Sequence, residues 1–154
     1  MPASPEGAQP IARFRAIARP LLAGRGEAGT MRYDFGGLEV WTRLPPSGRR
    51  DMLYLHWIGA PRPGRGVGAA GMRALVTAAD EAGLTLALHA DPWGAGRMER
   101  DVLRAWYERS GFRATRERLV PYWPGRLGLP MLRTARAAGG RPMLDSEGGR
   151  VAGA

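Results

Sequence analysis

The chain has 154 residues, no cysteine, and 23 Lys/Arg against 14 Asp/Glu, a formal charge of +9 with both histidines neutral. All 23 of those basic residues are Arg, and the sequence contains neither Lys nor Asn. These counts exclude disulfides, thiolate nucleophiles and cysteine-ligated zinc, and the length excludes multidomain machinery in favour of one ordinary domain.

With 23 Gly and 13 Pro beside the arginines, the charge reads as a composition bias before it reads as a signature of nucleic acid. Residues 1–10 are rich in Pro, Ala, Ser and Gly and are expected to be disordered. No export signal is expected, because Arg13, Arg15 and Arg19 interrupt the apolar residues that follow. Apolar runs fall short of the ~18 residues that span a bilayer, so a cytoplasmic protein is the expectation.

In chain order, Phe14, Ile17, Ala18 and Leu21 recur at helical spacing within 11–22, with Pro20 disturbing the last turn. Residues 24–30 read as a loop. Residues 38–44 read as a strand stopped by Pro45 and Pro46. Met52 to Ile58 alternates, placing Leu53, Leu55 and Trp57 on one face and Tyr54, His56 and Ile58 on the other, the pattern of a central strand buried on both sides.

A helix over 66–82 carries Met72, Leu75, Val76 and Ala79 on one stripe, and Gly83 stands where a left-handed cap belongs. Leu84, Leu86 and Leu88 predict a second core strand over 84–90, before a loop at 92–97. A helix over 98–110 follows, with Val102, Leu103, Trp106 and Tyr107 as its stripe and Gly111 at its end. Residues 112–120 and 129–134 read as further strands, and 136–154 as a flexible tail. Strand, glycine-rich loop, helix, strand, helix, strand is the order of an α/β fold around a partly parallel sheet, a single domain over 11–135.

The stretch from Pro63 to Gly71 joins a buried strand to a helix. Its small residues let a ligand approach the backbone, the first-turn amides lack intrahelical partners, and Arg65 adds a guanidinium, so a phosphate or pyrophosphate site is expected. A plain tight turn is the competing reading. A P-loop is excluded by the absence of Lys. Gly66, Gly68 and Gly71 match a dinucleotide fingerprint in spacing, but the chain is too short for two mononucleotide halves.

The same elements resemble the Gcn5-related N-acetyltransferase (GNAT) superfamily. The resemblance rests on the loop closing in Gly66-Val67-Gly68 after the 53–60 strand, and on Trp106-Tyr107-Glu108-Arg109-Ser110-Gly111-Phe112, over residues 51–113. Pro63, with Arg62 beside it, stands where the family favours Arg or Gln, and Arg100 stands where Asn is frequent.

The resemblance implies an acyl-CoA N-acyltransferase fold, a mixed sheet flanked by helices, with acetyl-CoA as co-substrate and no metal. It implies an acetyl-CoA-dependent N-acetyltransferase acting on a small-molecule or peptide amine. Arg65, Gly66, Val67, Gly68 and Ala69 would hold the pyrophosphate, Ile58 and Ala60 the acetyl and pantetheine portions, and Tyr107 would protonate the departing thiolate. Tyr107 otherwise belongs to the apolar stripe of its helix. His56 is the first candidate for the base that takes the amine proton, with His89, Asp91 and Glu39 behind it. The alternatives are a basic nucleic-acid-binding protein, which the dispersed arginines disfavour, and a CoA-binding interaction module without chemistry. Homodimerisation is a base-rate expectation and no membrane partner is expected.

Overall fold

The structure, a computed structural model, describes residues 9–45, 48–59, 66–90, 100–116 and 128–136. Of the segments expected to be disordered at 1–10 and flexible at 136–154, residues 1–8 and 137–154 lie outside them, as does the loop at 92–97, whereas Pro10 opens a helix and the Arg136 amide is bound by Asp80.

Helix α1 (Pro10–Ala18) starts with proline at its first position, where no amide is missed, and buries Ile11, Phe14 and Ala18. Pro20 sits in a 3₁₀ turn over Arg19–Leu21, which swings Leu21 off the stripe. Leu21 is exposed, as is Ile17 within α1 itself.

Strand β1 (Leu22–Arg25), paired antiparallel to β2 (Met31–Phe35), takes the last residue of the helix expected over 11–22 and the first two of the loop expected at 24–30. Leu-Ala-Gly-Arg has no alternation of its own, and the pairing at the sheet edge supplies what propensity does not. Gly36 and Gly37, both at positive φ, turn β2 into β3 (Leu38–Arg43), and the Asp34 carboxylate accepts the Gly37 amide at 2.6 Å.

Strand β4 (Met52–Gly59) leads into α2 (Val67–Ala82), and α2 into β5 (Thr85–Ala90). Helix α3 (Arg100–Arg109), β6 (Arg113–Ala114) and β7 (Leu129–Arg133) complete the described chain. The strand expected over 112–120 is described only to Arg116, and its paired part is two residues. The seven strands of the described residues form one sheet in the order β1-β2-β3-β4-β5-β7-β6. Only β4 and β5 are parallel neighbours; the other pairs are antiparallel. This is the mixed, helix-flanked GNAT-type α/β architecture.

Residues of all three helices join one apolar cluster on one face of the sheet, around Leu53, Leu55, Leu75, Leu86, Leu88 and Phe112. Gly83 closes α2 in the left-handed conformation at φ 69°, with its amide on Asp80 O and the Leu84 amide on Ala79 O. Arg13 of α1 donates from Nε and Nη2 to Ala82 O at 3.0 and 2.8 Å, setting a cation at the negative end of α2.

Arg133 of β7, 3% exposed, donates to both oxygens of Asp80 at 2.7 and 3.0 Å and through Nε to Ser110 O at 2.7 Å. Asp80 also accepts the Arg136 amide at 2.8 Å. One buried guanidinium thus joins α2, the end of α3 and the sheet. Replacing Asp80 with Asn leaves that cation without its counter-charge. Asp80→Asn is expected to lower the free energy of unfolding in urea by about 3 kcal/mol, the scale of a broken buried pair, with little change in denaturant slope.

Candidate functional site

Parallel strands β4 and β5 are paired only from Met52–Thr85 to Tyr54–Ala87. Beyond Tyr54 their carboxyl ends carry no shared ladder, and a crevice at such ends is where open α/β sheets bind ligands. Across the gap the Tyr54 hydroxyl and His89 Nδ1 lie 2.7 Å apart.

The outer half of β4 changes phase. Ile58 pairs with Val40 and Trp57 with Trp41, but Leu55 pairs with Thr42, so His56 and Trp57 together oppose Trp41. This β-bulge overturns the simple alternation expected from the sequence. Ile58 shares the helix-covered face with Leu53 and Leu55 and packs against that core. Trp57 lies on the other face with His56, is 38% exposed, and lays its ring over Gly59, where a Cβ has no room.

Helix α2 opens at Gly66, whose left-handed conformation (φ 73°, ψ 9°) turns the chain into the first helical residue without a side-chain cap. The first helical bond is Ala70 N to Gly66 O at 2.9 Å, so the amides of Val67, Gly68 and Ala69 precede the ladder. Gly68 faces Trp106 of α3, since a Cβ there would stand 3.6 Å from the indole. Ala60 and Arg65, expected to share this site, lie outside the described residues, as does Asp91.

Gly71, the third glycine of the fingerprint spacing, serves packing. A Cβ on it would fall 2.3 Å from Leu38 Cβ and 2.6 Å from Phe35 O, so its absence lets α2 settle on the β2–β3 turn. Gly37 provides the matching hollow, with Val67 Cγ1 at 2.9 Å from where its Cβ would be. Sequence reasoning missed this seat, although a Gly-Gly pair between two strand-like runs is its visible signal.

Tyr107 is 6% exposed and packs its ring against Trp106 and Phe112, at centroid distances of 5.1 and 5.5 Å. Burial, with the Tyr54 phenol adding to it, pushes its hydroxyl well above the ordinary tyrosine range. Val102, expected on the same stripe, is exposed, while Leu103 and Trp106 are partly buried.

His56 lies on the opposite face, its ring 6.4 Å from that of Trp41, beside a shallow cavity of 310 Å³ shared with Glu27, Thr30 and Arg43. Glu39 accepts Trp41 Nε1 at 2.8 Å and lies 3.7 Å from Arg32, whose guanidinium stands 5.5 Å from the Trp41 ring centroid. The sheet therefore separates Tyr107 from His56. Among the described residues no group of three or more His, Asp or Glu side chains is placed to hold a metal ion.

No protein-family model matches the chain, and no curated protein matches it. It is similar to a solved structure, the crystal structure of anti-CRISPR protein AcrVA5, at 18% sequence identity and a TM-score of 0.50, over 69% of this chain and 99% of that one. At that identity the likeness concerns the fold.

The expected function is corrected accordingly. The solved protein that shares the fold is named an anti-CRISPR protein, and neither a family model nor a curated protein matches the chain. A transferase assignment therefore has no support beyond the fold.

Two outcomes follow. Gly71→Ala should lower stability by about 1–3 kcal/mol through overpacking, whereas Gly68→Ala meets only ordinary contact and should leave thermal unfolding unchanged or slightly raised. In the second, the folded Tyr107 pKa lies above the unfolded value of ~10, so its contribution to stability is complete below that pH. It is lost as pH rises further, because the unfolded phenol releases a proton that the folded one retains. Melting temperatures between about pH 9 and 11 should fall less steeply in Tyr107→Phe than in the parent, with Tyr33, also raised by burial, keeping part of the slope.

Proposed function

We propose that the chain is a GNAT-fold binding module that holds a CoA-type ligand by its pyrophosphate at the N-terminus of α2 and acts by association, without acetyl transfer. The observation that carries this reading is Gly66 in the left-handed conformation, opening a 16-residue helix with no side-chain cap. Uncapped first-turn amides attract an anion both as hydrogen-bond donors and as the positive end of the helix dipole.

Neighbouring residues support it. Gly68 leaves the backbone open beside Trp106, whose indole offers an apolar wall, and Ile58 stands at the end of the strand that leads to this helix. The second partner on this reading is a protein or peptide. Trp57, exposed beside Trp41 on the face away from the helices, supplies the kind of aromatic anchor that protein interfaces favour.

Calorimetric titration with CoA tests the reading. The parent chain should bind saturably, and Gly68→Asp, which sets a carboxylate at the anion position, should weaken binding by about tenfold or more while the fold melts at the parent temperature. Incubation with acetyl-CoA and a panel of primary amines should release no thiol above the protein-free rate. Absence of saturable CoA binding refutes the ligand, and thiol release matched by acetylated amine refutes the non-catalytic role.

A further inference from the structure

A second cationic site lies at the opposite edge of the sheet from β6 and β7. Helix α1 ends there against β1 and β2, and their side chains line a shallow cavity of 260 Å³. Three arginines are among the residues that line it, Arg15 and Arg19 from α1 and the turn after it, and Arg25 from the end of β1.

Among the described residues, none of these three arginines forms an ion pair. Arg15 donates through Nη2 to Gly29 O at 3.3 Å, while its Nε is buried and meets no acceptor. A buried donor left unmatched costs free energy, and three like charges around one cavity repel. An anion in the cavity offsets the repulsion among the three charges.

The cavity wall sets the class of that anion. Tyr33 lies on the inner side, 1% exposed, with its hydroxyl donated to Met31 Sδ at 3.2 Å. Burial raises the Tyr33 pKa, and the positive fields of Arg15 and Arg25 both act on its hydroxyl to lower it, so the two charges converge there. Leu22 and Met31 add apolar surface. The volume falls below the ~300–1,000 Å³ of sites for drug-sized ligands, which favours a compact ligand over a nucleotide. Three arginines at one cavity suit an oxyanion with more acceptors than a carboxylate offers.

We infer that the Arg15–Arg19–Arg25 cavity is a binding site for a small dianionic phosphate, such as a phosphate monoester with a short organic group. The site is separate from the N-terminus of α2 and does not rest on the CoA reading.

Inorganic phosphate and glycerol phosphate, titrated calorimetrically into the full chain at low salt, test it, with acetate as the monoanionic control. Saturable binding at one site per chain is expected for both phosphates, with acetate much weaker. Arg25→Gln and Arg19→Gln, at exposed positions, and Arg15→Gln should each weaken phosphate binding by about tenfold, the loss expected for a charge-assisted hydrogen bond. Arg109→Gln, which removes the same charge from α3, should change it less than about twofold. Circular dichroism and melting temperature in the absence of ligand confirm that the exposed variants remain folded.

The phosphate isotherm should be unchanged when CoA is saturating, or when CoA fails to bind. No saturable uptake by the parent, an equal loss in Arg109→Gln, or displacement by CoA overturns the proposal. Competition by a short single-stranded oligonucleotide, lost in Arg25→Gln, reassigns the cavity to a nucleic-acid backbone and overturns the small-ligand proposal.

Discussion

The fold is held together at one end by the contact between Arg133 and Asp80. Pairing alone does not bind the described helices to the far strands, because α2 follows β4 and α3 follows β5 while β7 arrives from a distant part of the sequence. The guanidinium of Arg133 uses three nitrogens on three acceptor atoms, two on Asp80 and one on the Ser110 carbonyl. Because it is nearly excluded from water, the ion pair is worth having only with this full set of partners. A planar fork with a fixed angle between its donors also specifies how β7 sits against both helix ends, a task an ammonium would do less well.

That clamp lies at the end of the sheet where β5 begins, since Arg133 faces Leu86 in the ladder. The strands are free to part at the other end, where β4 carries its bulge and α2 presents uncapped amides. Rigidity and openness are thus distributed along the same pair of strands. The packing seat of Gly71 on Leu38 fixes the first turns of α2 against the β2–β3 turn, so the amides are held in place by contacts that involve no ligand. Preorganisation of this sort lowers the entropy lost on binding.

Much of this was legible in the sequence. The stripe of Met72, Leu75 and Ala79, Gly83 at the helix end and the alternation of Leu84, Leu86 and Leu88 all report burial through local spacing, which is why those elements fall where expected. Gly66 and Gly68 were legible as a loop-to-helix junction for the same reason. What escaped depends on partners remote in sequence. Strand β1 owes its form to β2, and Asp80 and Arg133, 53 positions apart, look like two surface charges until the fold buries one of them. The transferase expectation came from a resemblance of motifs, and shared architecture does not carry chemistry with it. The arginine cavity escaped because its three members come from three short elements, and a chain with 23 arginines gives no local signal for a particular three.

The bulge at His56 and Trp57 divides β4 into two halves with different obligations. Met52 to Leu55 answer to the interior on both sides and are buried, whereas the residues after the bulge are only partly covered. An extra residue there acts as a change of reading frame: it keeps Ile58 on the same side as Leu53 and Leu55 while sending an indole outward. Substitutions beyond it can therefore remodel the crevice and the outer aromatic surface without reopening the interior, and a residue gained or lost at His56 would exchange the two surfaces at a stroke.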